Sequence, residues 1–331
     1  MKKVKQIIGV DISKLTLDIH FHQKNQHLKI ENNFTGFKVL IKKIKELKLL
    51  NTELFVVLEF TGGYEYRFIQ FLSLYSIDYV RMPGLAIKRS MGIIRGKNDM
   101  VDAKRIAQFG YEKQDSLVKD KPLNKNILAL KELLAIRKEE VVRKIAAKNR
   151  LSERAYNKLE LPQTKVIARV CKDEIVFFEK QIEKIEVEIM SIINSDEILK
   201  RNYEILLSIK GVGPINAMMT LAYTENFSAF KTAREYASYV GVAPFEYSSG
   251  TSIKGKTRTS KLRRSDLKSE LTMAARSAKQ WNKDLATYAQ RIKQNKHVGI
   301  VINNVAFKLI CLMFSLVKRN ELYVENYRNA A

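Results

Sequence analysis

Apolar residues recur along this chain with two different periods, and the change of period divides it into three stretches. In the first stretch, short apolar runs alternate with polar turns. Val4 to Val10 and Leu15 to Phe21 read as strands around a turn at Ser13-Lys14, and His27 to Glu31 as a third strand. Spacings of three and four on Phe37, Leu40, Ile41, Ile44 and Leu47 predict a helix from Phe37 to Leu49. The run Leu54 to Leu58 predicts a strand ending at Glu59, and Thr61-Gly62-Gly63 breaks the chain. A helix from Tyr64 to Leu74 and a strand from Asp78 to Arg81 follow, closed by Pro83-Gly84. Strands in a meander, then alternating with helices, predict an α/β layer.

From about 122 to 200 the period of two vanishes. Ile175, Phe178, Ile182, Ile185, Ile189 and Ile192 keep the spacing of a coiled-coil seam, with Glu and Lys between them. Ile127, Leu130, Leu134, Val141 and Ile145 precede them across a break near Leu161-Pro162. Two long helices are expected, packed on each other or on another subunit, as a scaffold and dimerisation arm. Beyond 201, helices are expected to follow Gly211-Val212-Gly213-Pro214 and to cover Thr232 to Val240, Ser265 to Asp284 and Val298 to Val317, with an irregular basic stretch from Ser248 to Arg264. The fold class is therefore α/β plus all-α, in three parts: 1–120, a helical region 121–200, and a mostly helical 201–331.

Charge changes this picture most. Lys and Arg number 59 against 35 Asp and Glu, a formal net charge of +24 and a pI near 9.8. That excess points to a nucleic-acid partner, the alternatives being ribosome association, a membrane surface or a Lys-rich proteome. Cys171 and Cys311 lack metal-ligand spacing and read as buried small hydrophobes. The N-terminus reads as a strand rather than a secretory signal, and Asn303, Asn304 and Lys308 interrupt the longest apolar segment, Ile300 to Val317. A cytoplasmic, nucleoid-associated protein with no membrane partner is expected.

Against this basic background four acids stand out. Asp11 and Glu59 end apolar runs, and Asp99 and Asp102, three apart, would share a face at a helix start. Carboxylates converging from strand ends suit Mg²⁺, with two ions stabilising the attacking and leaving oxygens of a phosphodiester. Each acid has a plainer reading as a turn or cap residue. Arg95 and Lys97 could meet a scissile phosphate. Lys210, Gly211 and Gly213 form a turn like a helix-hairpin-helix element, which binds phosphate through backbone N–H groups or merely joins two helices. A basic run, Lys254, Lys256, Arg258, Lys261, Arg263, Arg264 and Lys268, reads as a phosphate-contacting strip. Ser248-Ser249-Gly250 just before it is a loop, or a nucleophile exposed on one. His20, His22, His27 and His297 form no ligand pattern; Trp281 reads as core, and Asn303-Asn304 as a helix–helix hydrogen bond.

Taken in order, Val10-Asp11-Ile12-Ser13-Lys14, Glu59-Phe60-Thr61-Gly62, Arg95-Gly96-Lys97-Asn98-Asp99-Met100-Val101-Asp102-Ala103, Ile209-Lys210-Gly211-Val212-Gly213 and Gly241-Val242-Ala243-Pro244 with Tyr247-Ser248-Ser249-Gly250 resemble the DEDD transposases of the IS-one-ten family of insertion sequences. The resemblance spans essentially the whole chain. It implies a RuvC-like, ribonuclease H-like domain over 1–120, a coiled coil over 121–200 and a transposase domain over 201–331. It further implies that Asp11, Glu59, Asp99 and Asp102 bind Mg²⁺ and that Ser249 forms a phosphoserine link to cleaved DNA, with Ser248 as the fallback nucleophile. A bridge RNA pairing with donor and target DNA, and a homo-oligomer, are implied as partners. The chain departs from the family pattern at Asn98, usually Thr or similar, and at Lys261-Leu262-Arg263-Arg264, where a Gly is usual. The rival readings are a RuvC-like junction nuclease using metal-activated water, a non-catalytic nucleic-acid-binding protein, and an actin-like sugar kinase sharing Gly9-Val10-Asp11.

Overall fold

A computed structural model describes residues 5–90, 98–122, 124–157, 162–249, 253–259, 263–294 and 296–325. Contacts divide the chain into two units, Met1–Leu123 and Asn124–Ala331.

In the first unit the alternating runs become β1 (Gln6–Ile12), β2 (Thr16–Phe21) and β3 (Gln26–Glu31), an antiparallel meander. Helix α1 (Phe34–Glu46) is capped by Asn33, whose side chain accepts from the Gly36 amide. It leads through a 3-10 turn, Asn51–Glu53, to β4 (Leu54–Glu59), which pairs parallel with β1. Helix α2 (Tyr66–Leu74) returns the chain to β5 (Asp78–Met82), parallel to β4. The five-stranded sheet has the order β3-β2-β1-β4-β5. Pro83-Gly84 closes β5 as expected, and two further helices, α3 (Gly84–Ser90) and α4 (Asp99–Lys113), follow.

Because successive strand residues point to opposite faces, the sheet carries two cores. Ile8, Val10, Val56 and Leu58 pack with Phe37, Leu40, Phe68 and Phe71 of α1 and α2. Ile7, Phe55 and Val57 face the other way, onto Ile87, Ile106 and Phe109 of α3 and α4. The close seat of α4 depends on Gly9. A Cβ there would overlap the backbone of Ala103 and lie 2.7 Å from the Ala107 Cα.

The second unit starts with the two long helices, α5 (Lys125–Asn157) and α6 (Pro162–Asn194). They pack on each other antiparallel, laced by Arg137–Glu186 at 2.7 Å, Lys144–Glu179 at 3.8 Å and an Arg150–Glu174 pair. Their open ends, at Ile127, Leu130 and Leu134 and at Ile189 and Ile193, belong to the core of the C-terminal helices. Those are α7 (Glu197–Ser208), α8 (Pro214–Tyr223), α9 (Ala233–Val240), α10 (Ser265–Trp281), α11 (Lys283–Lys293) and α12 (Val298–Arg319).

Several sequence expectations change here. The basic stretch is partly regular: β6 (Pro244–Ser249) and β7 (Ile253–Thr259) form an antiparallel pair, irregular between Phe245 and Tyr247. The helix expected through Asp284 breaks at Asn282, a buried residue whose side chain caps α11 by accepting from the Leu285 amide. Trp281, the last residue of α10, is 63% exposed rather than core, because the helix ends where its buried stripe would continue. Cys311 is half-buried while Cys171 is buried. Helix α12 is long and apolar enough by composition to cross a membrane. Eight of its residues from Val301 to Leu316 nevertheless sit in the core, and Asn303 donates to the Val242 carbonyl of a loop, not to another helix.

Candidate catalytic site and nucleic-acid interface

Parity places Gly9 and Asp11 on the sheet face that α4 covers, with Ile7. Val57 and Glu59 share it from the neighbouring strand. Helix α4 runs antiparallel to β1. A Cβ on Gly110 would meet Ile7, one on Gly9 meets Ala103 and Ala107, and the helix start therefore lies at the Asp11 end. Asn98 caps that start by accepting from the Met100 amide, presenting Asp99 and Asp102 in the first turn.

Pairing completes the arrangement. Asp11 is opposite Asp18, Asp18 is opposite Lys29, and on the other side Val10 is in register with Leu58, setting Asp11 beside Glu59. One rung across four strands thus reads Lys29, Asp18, Asp11, Glu59. Asp18 was not singled out from the sequence. It is 4% exposed and accepts from His27 Nε2 over 2.9 Å, with Lys29 Nζ 3.2 Å away. Lys29 also lies 4.0 Å from Asp99, and Arg105 bonds Asp102 at 2.8 Å. Among the described residues, neither Asp11 nor Glu59 has an ion-pair partner.

Burial raises the Asp11 carboxyl to about 6, reinforced by the negative charge of Asp99, Asp102, Glu59 and Asp18. All four expected acids therefore belong to one electrostatic cluster. Among the described residues, no three His, Cys, Asp or Glu side chains stand at metal-ligating spacing. The α4 pair is drawn towards Lys29 and Arg105. The donor set is all carboxylate oxygen with unrelieved repulsion at its centre, and it fits a hard divalent cation.

The loops after the two strand-end acids are clamped together. Asn32, 9% exposed, donates its side-chain amide to the carbonyls of Ser13 and Tyr64, each at 3.0 Å. Glu65, fully buried, accepts from Thr61 Oγ1 and, at 2.8 Å, from the Gly63 amide. The glycine break after Glu59 thus holds a defined turn, with Gly62 at φ +83°. Gly84 leaves room for Glu59, whose carboxylate a Cβ would strike.

In the second unit, Ser249 ends β6 opposite Ile253, and Ser248 is opposite Lys254. Positions 254, 256 and 258 alternate with Ile253, Gly255, Thr257 and Thr259 along β7. Arg264 follows, exposed in part. It stacks over Tyr223 at 4.4 Å, donates to the Tyr223 hydroxyl at 2.8 Å and pairs with Asp266. Burial pushes the Tyr223 and Tyr239 hydroxyls up, so they stay neutral beside it. Arg264 also lines a cleft of about 590 Å³ with Arg137, Lys138, Arg143 and Tyr223. Lys268 reaches the Gly241 carbonyl at 2.7 Å.

The turn at Lys210-Gly211-Val212-Gly213 does join two helices, α7 and α8. Gly211 has φ +106°, and a Cβ there would overlap Ala278 of α10. Packing thus requires this glycine, whereas Gly213 caps α8 facing open space. Lys210 is engaged by Glu325 at 2.8 Å. Arg95, Lys97 and Lys261 lie outside the described residues.

Known proteins resemble the chain in both units. Residues 8–154 match a DEDD family of IS110 type described as Transposase, and residues 203–290 match the family described as Transposase IS116/IS110/IS902. A pilin gene-inverting protein of Moraxella bovis is 26% identical over 330 residues, 96% of this chain and 97% of its own. One from Moraxella lacunata matches to the same extent. A probable family 20 transposase of Pseudomonas aeruginosa is 27% identical over 164 residues, 47% of this chain and 46% of its own. With the acid-bearing sheet and the helical C-terminal unit each matched to the same group of enzymes, in the same order, the protein belongs to the IS116/IS110/IS902 family of transposases.

Proposed function

We propose that this transposase exchanges DNA strands through a phosphoserine intermediate, with Asp11, Glu59, Asp99 and Asp102 as ligands for Mg²⁺ and Ser249 as the nucleophile. The observation that carries the reading is the clustering of the four acids over one sheet face, where burial, reinforced by the charge of the other acids, raises the Asp11 carboxyl to about 6. The strand order β3-β2-β1-β4-β5 supports a RuvC-like, ribonuclease H-like first unit.

Two bound Mg²⁺ ions would polarise the scissile phosphate and neutralise charge on the oxygens around it. Ser249 Oγ forms a bond to phosphorus, its proton passing to a base. The bond from phosphorus to the leaving deoxyribose oxygen breaks, and that oxygen takes up a proton. The phosphodiester energy is conserved in the serine ester, so a second DNA hydroxyl can reverse the step and release Ser249 without ATP. The basic positions Lys254, Lys256, Arg258, Lys261, Arg263 and Arg264, with Arg95, Lys97, Lys210, Gly211 and Gly213, would contact backbone phosphates. A net charge of +24 supports such contacts. Target choice would fall to a bridge RNA pairing with donor and target DNA, a division of labour used by other guided systems. Strand exchange needs several active sites, and the α5–α6 hairpin is the proposed dimerisation arm of a cytoplasmic homo-oligomer. The relatives that invert pilin genes support recombination in place of simple cutting.

Protein, copurified RNA and DNA incubated with Mg²⁺ and run on a denaturing gel test this directly. Wild type and Ser248→Ala should form a protein–DNA adduct and Ser249→Ala none, with DNA binding retained. An adduct persisting in Ser249→Ala would remove that serine from the mechanism. Cleavage without any adduct would favour a junction nuclease using water. Activity untouched by Asp11→Ala would favour a non-catalytic binder. Sequencing the copurified RNA tests the guide: a discrete structured RNA is expected, and random cellular RNA would refute it.

A further inference from the structure

The acid cluster contains a cation of the protein's own. Lys29 stands at the end of the rung that continues through Asp18 and Asp11 to Glu59. Its ammonium is 3.2 Å from Asp18 and 4.0 Å from Asp99. The two contacts differ in kind. Asp18 is buried, and His27 holds its other oxygen at 2.9 Å, so it is a fixed anchor. Asp99 is exposed on the first turn of α4, with its side chain 62% accessible. An ammonium carried by β3 is therefore held against an acid of α4 by a carboxylate that itself faces Asp11.

We propose that Lys29, seated on Asp18, is an internal counter-ion of the acid cluster that competes with a divalent cation for Asp99 and thereby sets the metal affinity of the site. The inference rests on the reading of Asp11, Glu59, Asp99 and Asp102 as metal ligands. An ammonium and a divalent ion cannot share one carboxylate at close range without mutual repulsion. Metal capture by Asp99 thus requires Lys29 to draw back towards Asp18, and the flexible, half-exposed lysine stem permits this. Lys29 is a positioning residue, acting on the metal through Asp99 and Asp18, and not itself a ligand. Arg105 holds Asp102 in the same way, but from three residues along the same helix, so it moves with its acid. Lys29 comes from a different element, and its removal changes charge without unfolding α4.

The test is the affinity of the full-length protein for Mn²⁺, used as the probe ion and measured by calorimetry at low ionic strength. Lys29→Met should bind Mn²⁺ about tenfold more tightly than wild type, the change expected for loss of ~1.4 kcal/mol of charge repulsion. Lys29→Arg, which keeps the charge, should stay within about twofold of wild type. A purely structural role predicts weaker binding in Lys29→Met, so the sign of the change decides. His27 still partners Asp18 in that variant, and its thermal unfolding checks that the sheet is intact. Unchanged or weaker Mn²⁺ binding by folded Lys29→Met overturns the counter-ion role while leaving the acids as ligands. If wild type binds no Mn²⁺, or Asp11→Asn and Asp99→Asn bind it as wild type does, the metal reading and this inference fall together.

Discussion

Replacing Asp11 with asparagine should stabilise the first unit at neutral pH while abolishing strand exchange. Asp11 is surrounded by Asp18, Glu59, Asp99 and Asp102, and burial with their charge raises its carboxyl from 3.8 to about 6. A difference of about two pH units corresponds to ~3 kcal/mol between charged and neutral forms. Asp11 is only half-buried, and screening by solvent reduces this to about 1–2 kcal/mol. The sign follows from proton binding. The unfolded chain loses this proton near pH 4 and the folded chain near 6, so the folded form holds the extra proton between them. Stability from this group is therefore full below pH 4 and lost as pH rises through 6. Thermal unfolding of the full chain in a chelator, from pH 4.5 to 7.5, should show Asp11→Asn overtaking wild type across that window. For a unit of this size the gain at pH 7.5 amounts to about 3–8 °C. Adding Mg²⁺ at pH 7.5 should raise the wild-type midpoint more than that of the variant. An Asp11→Asn protein less stable than wild type at pH 7.5, or offset from it equally at every pH, would refute the repulsion argument.

Two other substitutions probe what positions the acids. Gly9→Ala should lower stability by about 1–3 kcal/mol in urea unfolding, because its methyl group would enter the α4 backbone. The same variant should weaken Mn²⁺ binding, since Asp99 and Asp102 ride on that helix. Asn32→Ala removes the donor shared by the Ser13 and Tyr64 carbonyls and should cost about 1–3 kcal/mol by the same measurement. Its Mn²⁺ affinity should fall with the spacing of Asp11 and Glu59 no longer clamped; unchanged affinity would show that the strands alone set it.

Strand-end acids are legible in sequence because an apolar run that stops at a carboxylate marks the strand and, within a residue, its end: β4 stops at Glu59, and β1 runs one residue past Asp11. Asp99 and Asp102 declare themselves by spacing at a helix start. Asp18 and Lys29 do not. They lie within alternating strands among other polar residues, and only cross-strand register brings them to the Asp11 rung. Asn32 is equally silent, since its two acceptors lie 19 and 32 residues away. The β6–β7 pair escaped because its alternation sets basic residues against Gly and Thr, leaving no hydrophobic period to read. The break at Asn282 was hidden for the opposite reason, an apolar stripe that continues in phase from α10 into α11.

The α5–α6 hairpin has a mechanical consequence. At 33 residues, α5 is about 50 Å long at 1.5 Å per residue. Its base is sunk in the C-terminal core at Leu130 and Leu134, and ion pairs tie its length to α6. The hairpin is thus a stiff lever with its fulcrum in the helical core of Ser249's own unit. From Leu134 to Asn157 the arm beyond that fulcrum is about 35 Å, so a rotation of roughly 5° would sweep Asn157 by about 3 Å. A small repacking around Leu134 would be delivered at the far end of α5 as a displacement about as long as a hydrogen bond.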